Sequence, residues 1–174
     1  MAPLARALIA SALLLAAIPP ASAAEMASRY TRHAYESCPV RPGGGAEPGS
    51  SERVCVGVDG IAVAWSADDD SSLIAFPRER GEWPTIGSFF EAGTTIEWRG
   101  PAGGRASAAI VRYRVGDSVG RLDRSRLLVY RLGPDASCIM GIVDGARPGA
   151  NAAARGIADA APGFACGRGR RVVL

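Results

Sequence analysis

Val54-Cys55-Val56-Gly57-Val58-Asp59-Gly60-Ile61-Ala62-Val63-Ala64-Trp65 is the stretch that decides the fold class of this chain. Two short runs of β-branched and apolar residues flank Asp59-Gly60, a pair that favours the tight turns joining adjacent antiparallel strands. The segment therefore reads as a β-hairpin. The same grammar continues downstream. The acidic and serine-rich turn Asp68-Asp69-Asp70-Ser71-Ser72 precedes a third strand, Leu73 to Phe76, which Pro77 ends. Residues 78–92 are less regular, with Trp83, Phe89 and Phe90 set between charges and glycines.

Thr94 to Arg99 alternates, with Ile96 and Trp98 on one face and Thr95, Glu97 and Arg99 on the other. Ala108 to Val115, Leu127 to Tyr130 and Cys138 to Val143 complete the run of about seven short strands. A helix signal comes only near the end. Asn151 is a candidate cap for the alanine-rich segment 152–161, and Pro162-Gly163 stops it. The expectation is an α+β domain: a mainly antiparallel sheet of about seven short strands and one short C-terminal helix. The tail Arg168 to Leu174 is basic, then apolar, and reads either as a frayed end or as a last strand.

Upstream, residues 24–37 are polar and mixed. Residues 42–51 are rich in Gly, Pro and Ser and read as an irregular loop. The first residues carry an export signal. Arg6 precedes an uninterrupted apolar run, Ala7 to Ile18; Pro19-Pro20 breaks it, and Ala21-Ser22-Ala23 supplies small residues for cleavage. The run is well short of the ~20 residues needed to span a bilayer. The organisation expected is a signal peptide over 1–23 and one domain over 24–174, periplasmic or secreted, with no transmembrane segment after cleavage.

Export gives the cysteines their meaning. Cys38, Cys55, Cys138 and Cys166 are an even set in an oxidising compartment, the pattern of two disulfides. Four cysteines allow three pairings; sequence neighbours favour Cys38 with Cys55 and Cys138 with Cys166. A zinc site wants close Cys or His pairs along the chain, and here the cysteines are widely spaced and His33 is the single histidine. No metal and no cofactor are expected.

The formal charge is +3, too mild to call for nucleic acid as a partner. Every one of the 20 basic residues is Arg, and Asn151 is the single Asn. GC-rich codon usage accounts for that bias. Its physical consequence is a supply of planar forks suited to carboxylates and phosphates. Arg112 and Arg114 share one face of their strand, and Arg124 and Arg126 share a face of the next run. If the two runs form a hairpin across 116–123, the four become a candidate binding surface for an anionic group; the opposing reading has Glu97, Asp117 and Asp123 neutralise the face and leave it merely soluble.

Other candidate chemistry fits its context poorly. Gly116-Asp117-Ser118-Val119-Gly120 has the G-x-S-x-G spacing of a nucleophile elbow, which needs a helix after the serine and a histidine later in the chain. A strand follows here, and His33 comes earlier. Asp68-Asp69-Asp70 lacks the alternate spacing and distant Glu of a calcium loop. The leading expectation is a non-catalytic binding or inhibitor-type module of the cell envelope, with an envelope protein or an anionic cell-wall component as partner. The alternatives are a small secreted hydrolase using Ser118 or a carboxylate pair, and a purely structural envelope protein.

Several short motifs follow one another in order: Thr95-Ile96-Glu97-Trp98-Arg99, Ala109-Ile110-Val111-Arg112-Tyr113, Leu128-Val129-Tyr130-Arg131-Leu132, Cys138, Val143-Asp144, Ala150-Asn151 with Ala154-Arg155 and Ala158-Asp159, and Phe164 with Cys166. Together they resemble a family of small secreted (periplasmic) bacterial proteins of uncharacterised activity. The resemblance runs over roughly residues 30–166, and the sequence departs from it at 40–52 and in the G-x-S-x-G turn. It implies export and a single domain and transfers no site.

Overall fold

The structure is a computed structural model that describes residues 24–41, 51–68, 71–118 and 120–174. Residues 1–23, expected to be a signal peptide, most of the Gly/Pro/Ser loop, Asp69, Asp70 and Val119 lie outside the described residues. The chain order is β1 (Met26–Arg32), β2 (Ser51–Val56), β3 (Ala62–Ala67), β4 (Ser72–Ala75), β5 (Phe89–Pro101), β6 (Ala108–Gly116), β7 (Arg124–Arg131), β8 (Cys138–Asp144), α1 (Ala150–Asp159) and β9 (Val172–Val173).

The hairpin expected at 54–65 is present as β2 and β3, paired antiparallel from Ser51 with Ala67 to Val56 with Ala62. Asp59 and Gly60 both take positive φ, 55° and 71°. Asp and Gly are among the residues that tolerate this region. β4 completes a three-stranded sheet. The larger sheet has six strands in the order β1-β5-β6-β7-β8-β9. All its pairings are antiparallel except β8 with β9.

Nine strands, rather than about seven, are found among the described residues. The two extra ones are the edges of the larger sheet. β1, Met-Ala-Ser-Arg-Tyr-Thr-Arg, buries none of its residues fully, so it shows no clean apolar alternation. β9 is two residues long, and its side chains are exposed. An edge strand draws its order from backbone pairing, which leaves little trace in the side-chain pattern.

The six-stranded sheet is covered on both faces. On one, β2–β4 contribute Val63, Trp65 and Ile74 to a core with Ile96, Trp98, Val111, Tyr113, Leu128 and Tyr130. A buried hydrogen-bond set crosses this interface: Ile74 N–H donates to Tyr113 Oη at 2.9 Å, Tyr130 Oη donates to Ile74 C=O at 3.2 Å, and the two phenol oxygens lie 3.1 Å apart. Burial pushes both phenols well above their ordinary pKa. They act as fixed hydrogen-bonding groups that satisfy an interior backbone.

On the other face, Ala154, Ile157 and Ala158 of α1 pack over Ile110, Leu127, Val129, Met140 and Val143. The helix begins two residues before the expected segment. Its N-cap is Gly149 at φ 72°, with no side-chain cap; Asn151 lies inside the first turn and is engaged elsewhere. A short 3-10 turn over Ala161–Gly163 follows it, where Pro162-Gly163 stops the α-helix. Two disulfides close the domain, Cys38–Cys55 and Cys138–Cys166. No helix among the described residues is long and apolar enough to cross a membrane.

Candidate functional site

The expected β6–β7 hairpin exists, and its register decides the fate of the four-arginine surface. Directly opposed residues share a sheet face. Arg112 lies opposite Leu127 and Arg114 opposite Ser125, whereas Arg124 lies opposite Val115 and Arg126 opposite Tyr113. Arg112 and Arg114 therefore point to the helix side of the sheet, and Arg124 and Arg126 to the other. A hairpin fixes which residues pair, and a one-residue difference in register exchanges the faces. That offset was not readable from either strand alone.

Arg124 and Arg126 are also compensated. Arg124 bonds Asp117 at 2.6 Å with Asp123 nearby, and Arg126 bonds Asp144 at 2.7 Å. The Ala146 backbone N–H, together with Arg126 and Arg124, holds the Asp144 carboxyl below the usual range. Arg114, Arg124 and Arg126 border one shallow depression at the end of the hairpin, but Asp123 and Asp144 border it too.

The helix side holds the better-formed site. α1 covers only part of this face, leaving an open cleft of ≈ 720 Å³ lined by Tyr30, Glu97, Arg112, Arg114, Asn151 and Arg155, among others. One wall is a polar stripe of α1. Asn151, Arg155 and Asp159 recur at four-residue intervals, so they lie along one side of the helix. Each meets a partner on the sheet. Arg112 Nη2 donates to Asn151 Oδ1 at 2.8 Å, Arg155 Nε donates to Glu97 Oε1 at 2.6 Å, and Arg99 forks onto both oxygens of Asp159 at 2.6 and 3.0 Å. Ser28 Oγ donates to Glu97 at 2.6 Å and accepts from Arg99. Arg155 also donates to Tyr30 Oη at 3.0 Å.

Glu97 is the centre of this network and is buried to 9 % exposure. Burial alone would push its carboxyl up; the bonds from Arg155 and Ser28 outweigh that and hold it below the usual carboxylate range. Bonds to Asp159 and Glu97 respectively raise Arg99 and Arg155.

Compared with family models, with curated proteins and with solved structures, the chain matches none.

The cleft's own charges then carry the reading. Arg114 pairs with Glu91, and Arg155 with Glu97. Arg112 differs from both. Its hydrogen-bond partners are neutral, Ser125 Oγ at 3.0 Å and Asn151 Oδ1 at 2.8 Å, and among the described residues it forms no ion pair. The cleft therefore carries one oriented guanidinium whose charge is not neutralised, flanked by two that are.

Sequence reading found Arg112 and Arg114 and named Glu97 only as a neutraliser of their face, whereas Glu97 pairs with Arg155; it missed Arg155, Tyr30 and the role of Asn151. The 151/155/159 periodicity was a signal for a polar helix stripe; its sheet partners required the register. The remaining candidates fall away from the cleft. Ser118 sits in a tight turn, bridged to Arg121, between β6 and β7, without the helix that an elbow requires. His33 bonds Thr31 at 2.9 Å, and burial lowers its pKa. Asp68 accepts the Ser71 N–H at 2.6 Å, turning the chain into β4.

The Glu97 network makes a prediction. Glu97→Gln keeps the shape but removes the negative charge facing Arg155, at a cost of about 1.5–3 kcal/mol at pH 7. Because the folded carboxyl titrates below its unfolded value, the stability it contributes is present above the unfolded pKa of about 4.3 and is lost as pH falls through the folded value. Urea unfolding of wild type and variant should show a full gap at pH 7 that closes in strong acid. A gap independent of pH would show that packing, not charge, sets Glu97's role.

Proposed function

We propose that this chain is an exported, non-catalytic binding module of the cell envelope whose ligand presents a carboxylate or phosphate to the cleft beside α1. The observation that carries this reading is Arg112, an oriented guanidinium without a carboxylate partner among the described residues, in the wall of an open cleft of ≈ 720 Å³. A guanidinium fork favours planar anionic groups, and charge-assisted bonds are roughly twice as strong as neutral ones. The export-like leader, the two disulfides and the resemblance to small secreted proteins support the envelope setting. An anionic cell-wall fragment or a carboxylate on an envelope protein satisfies the same chemistry.

The test is calorimetric titration of the oxidised protein with soluble muropeptides bearing free carboxylates. Binding should weaken with salt. Arg112→Ala should lose roughly 10- to 100-fold in affinity, the range for a bond to a charged group, while Arg124→Ala and Arg126→Ala, on the opposite face, should stay within about twofold. Unchanged thermal unfolding of Arg112→Ala would separate lost recognition from lost folding. Equal binding by wild type and Arg112→Ala would overturn the placement of the site, and no binding by wild type would overturn the cell-wall ligand.

A further inference from the structure

His33, Cys38 and Cys55 are 22 positions apart at the extremes of the sequence, yet one ligand atom from each lies within 4.8 Å of the others. Two thiolates and an imidazole are a ligand set for a thiophilic d¹⁰ cation, with three protein donors and one open position, as in Cys₂His zinc sites. In the disulfide form the sulfurs are bonded to each other at 2.00 Å and cannot ligate. The geometry points to a redox-gated metal site, closed while Cys38–Cys55 is oxidised and able to take Zn²⁺ once it is reduced.

The surroundings keep the three groups together without the S–S bond. Segment 38–41 runs antiparallel beside β2: Val54 N–H donates to Pro39 C=O and Arg41 N–H to Glu52 C=O, both at 2.9 Å. Arg53, between these bonds, donates to Cys38 C=O at 2.8 Å. His33 is fixed by its own N–H, which donates to Thr94 C=O at 2.8 Å. Its Nε2 lies 2.9 Å from Thr31 Oγ1, an oxygen that also accepts the Trp98 indole N–H at 2.8 Å. With Nε2 engaged by Thr31, Nδ1 is the ring nitrogen left to ligate, and Thr31 would orient the ring in the way outer partners orient metal-binding histidines. The sulfurs need to part only to the spacing of about 3.8 Å that two 2.3 Å Zn–S bonds impose. Cys38 is buried and Cys55 half-buried, so a bound ion would be shielded on the Cys38 side.

The chemistry balances simply. A dithiol gives two electrons and two protons to the S–S bond and leaves as its own disulfide; the two thiols then release their protons to solvent as Zn²⁺ binds. Thiols occur twice in the reduced chain, so the test must tell the pairs apart. The protein is reduced with a phosphine, which ends as phosphine oxide with oxygen from water, then desalted without oxygen and titrated with Zn²⁺ against a chromophoric indicator. Iodoacetamide and mass spectrometry then report which cysteines the metal protects.

The expected result is one Zn²⁺ per chain, protection of Cys38 and Cys55 with Cys138 and Cys166 alkylated, and no binding by the oxidised protein. His33→Ala and Thr31→Val should each weaken binding by about 10-fold or more. Equal protection of all four cysteines, which a reduced chain that has lost its fold would also give, overturns the proposal. So does zinc affinity unchanged by His33→Ala.

Discussion

Replacement of Trp98 by Ala should destabilise the domain by about 3–5 kcal/mol, the range for removing a large aromatic side chain from a packed core. Trp98 is fully buried and stands where three parts of the fold meet. Its ring lies edge-on to Phe76, centroids 5.7 Å apart. Its indole N–H donates to Thr31, anchoring β1 to β5. Its far edge abuts Gly57, at the end of the β2–β3 hairpin, where an added Cβ would fall 2.3 Å from the ring. Against a typical total of about 5–15 kcal/mol, the loss should lower the unfolding temperature by on the order of 10 °C.

The contact with Gly57 supplies an internal check. Gly57→Ala alone should cost about 1–3 kcal/mol, because its methyl must displace a fixed ring. In a Trp98→Ala background the same methyl enters the cavity, so the double variant should be more stable than the sum of the two losses implies. Neighbouring substitutions that share a cavity couple by about 0.5–3 kcal/mol. Additive losses, or a Trp98→Ala cost under 1.5 kcal/mol by urea unfolding, would show that the surrounding core collapses around the missing ring.

Trp98 also shows which parts of the molecule were legible in the sequence. Its alternation with Ile96 placed both in the core and put Glu97 and Arg99 on the opposite face, as found. Strands with one fully buried face announce themselves through period-two patterning, and so the central strands and the Asp59-Gly60 hairpin were readable. β1 was not, and β9 was only one of two readings of the tail, because edge strands are held by backbone bonds and bury little. The helix was legible, but its cap was not: Asn151 has the right chemistry for a cap, yet its side chain accepts from Arg112 instead, and Gly149 turns the chain.

The candidate site marks a sharper limit. Each arginine pair was correctly assigned to one side of its own strand, and the hairpin between the pairs was foreseen. Whether the pairs meet depends on the parity of the register, and Tyr113 opposite Arg126 answers that they do not. The Glu97–Arg155 and Arg99–Asp159 pairs join positions about sixty residues apart. Only the packing of α1 across β5–β8 brings them together. His33 with Cys38 and Cys55 is a similar case, because β1 and β2 lie in different sheets and linear spacing says nothing of their approach.

Removal of the Cys138–Cys166 bridge, by changing both cysteines to Ala, should cost about 3–4 kcal/mol in the chain-entropy account, given a closed loop of 28 residues' separation. That loop holds α1 and the 3-10 turn after it, and it delivers the tail to β9. Beyond the bridge, the tail is held by backbone pairing and by Arg171, which donates to Ile139 C=O at 3.3 Å and to Glu82 C=O at 2.8 Å. β9 pairs with β8 through Gly141 with Val172 and Ile142 with Val173, and its bonds end with Leu174 N–H to Ile142 C=O at 3.0 Å and Asp144 N–H to Leu174 C=O at 2.7 Å. α1, by contrast, keeps its own apolar contacts through Ala154, Ile157 and Ala158. The loss should therefore divide unevenly in space. Hydrogen exchange should rise strongly over 166–174 and only modestly over 150–159, while the urea midpoint falls and the slope rises, because the denatured chain without the cross-link exposes more surface. If exchange instead rose equally across α1 and the tail, the bridge would be holding the helix on the sheet, and the apolar stripe of α1 would be too narrow to dock it alone.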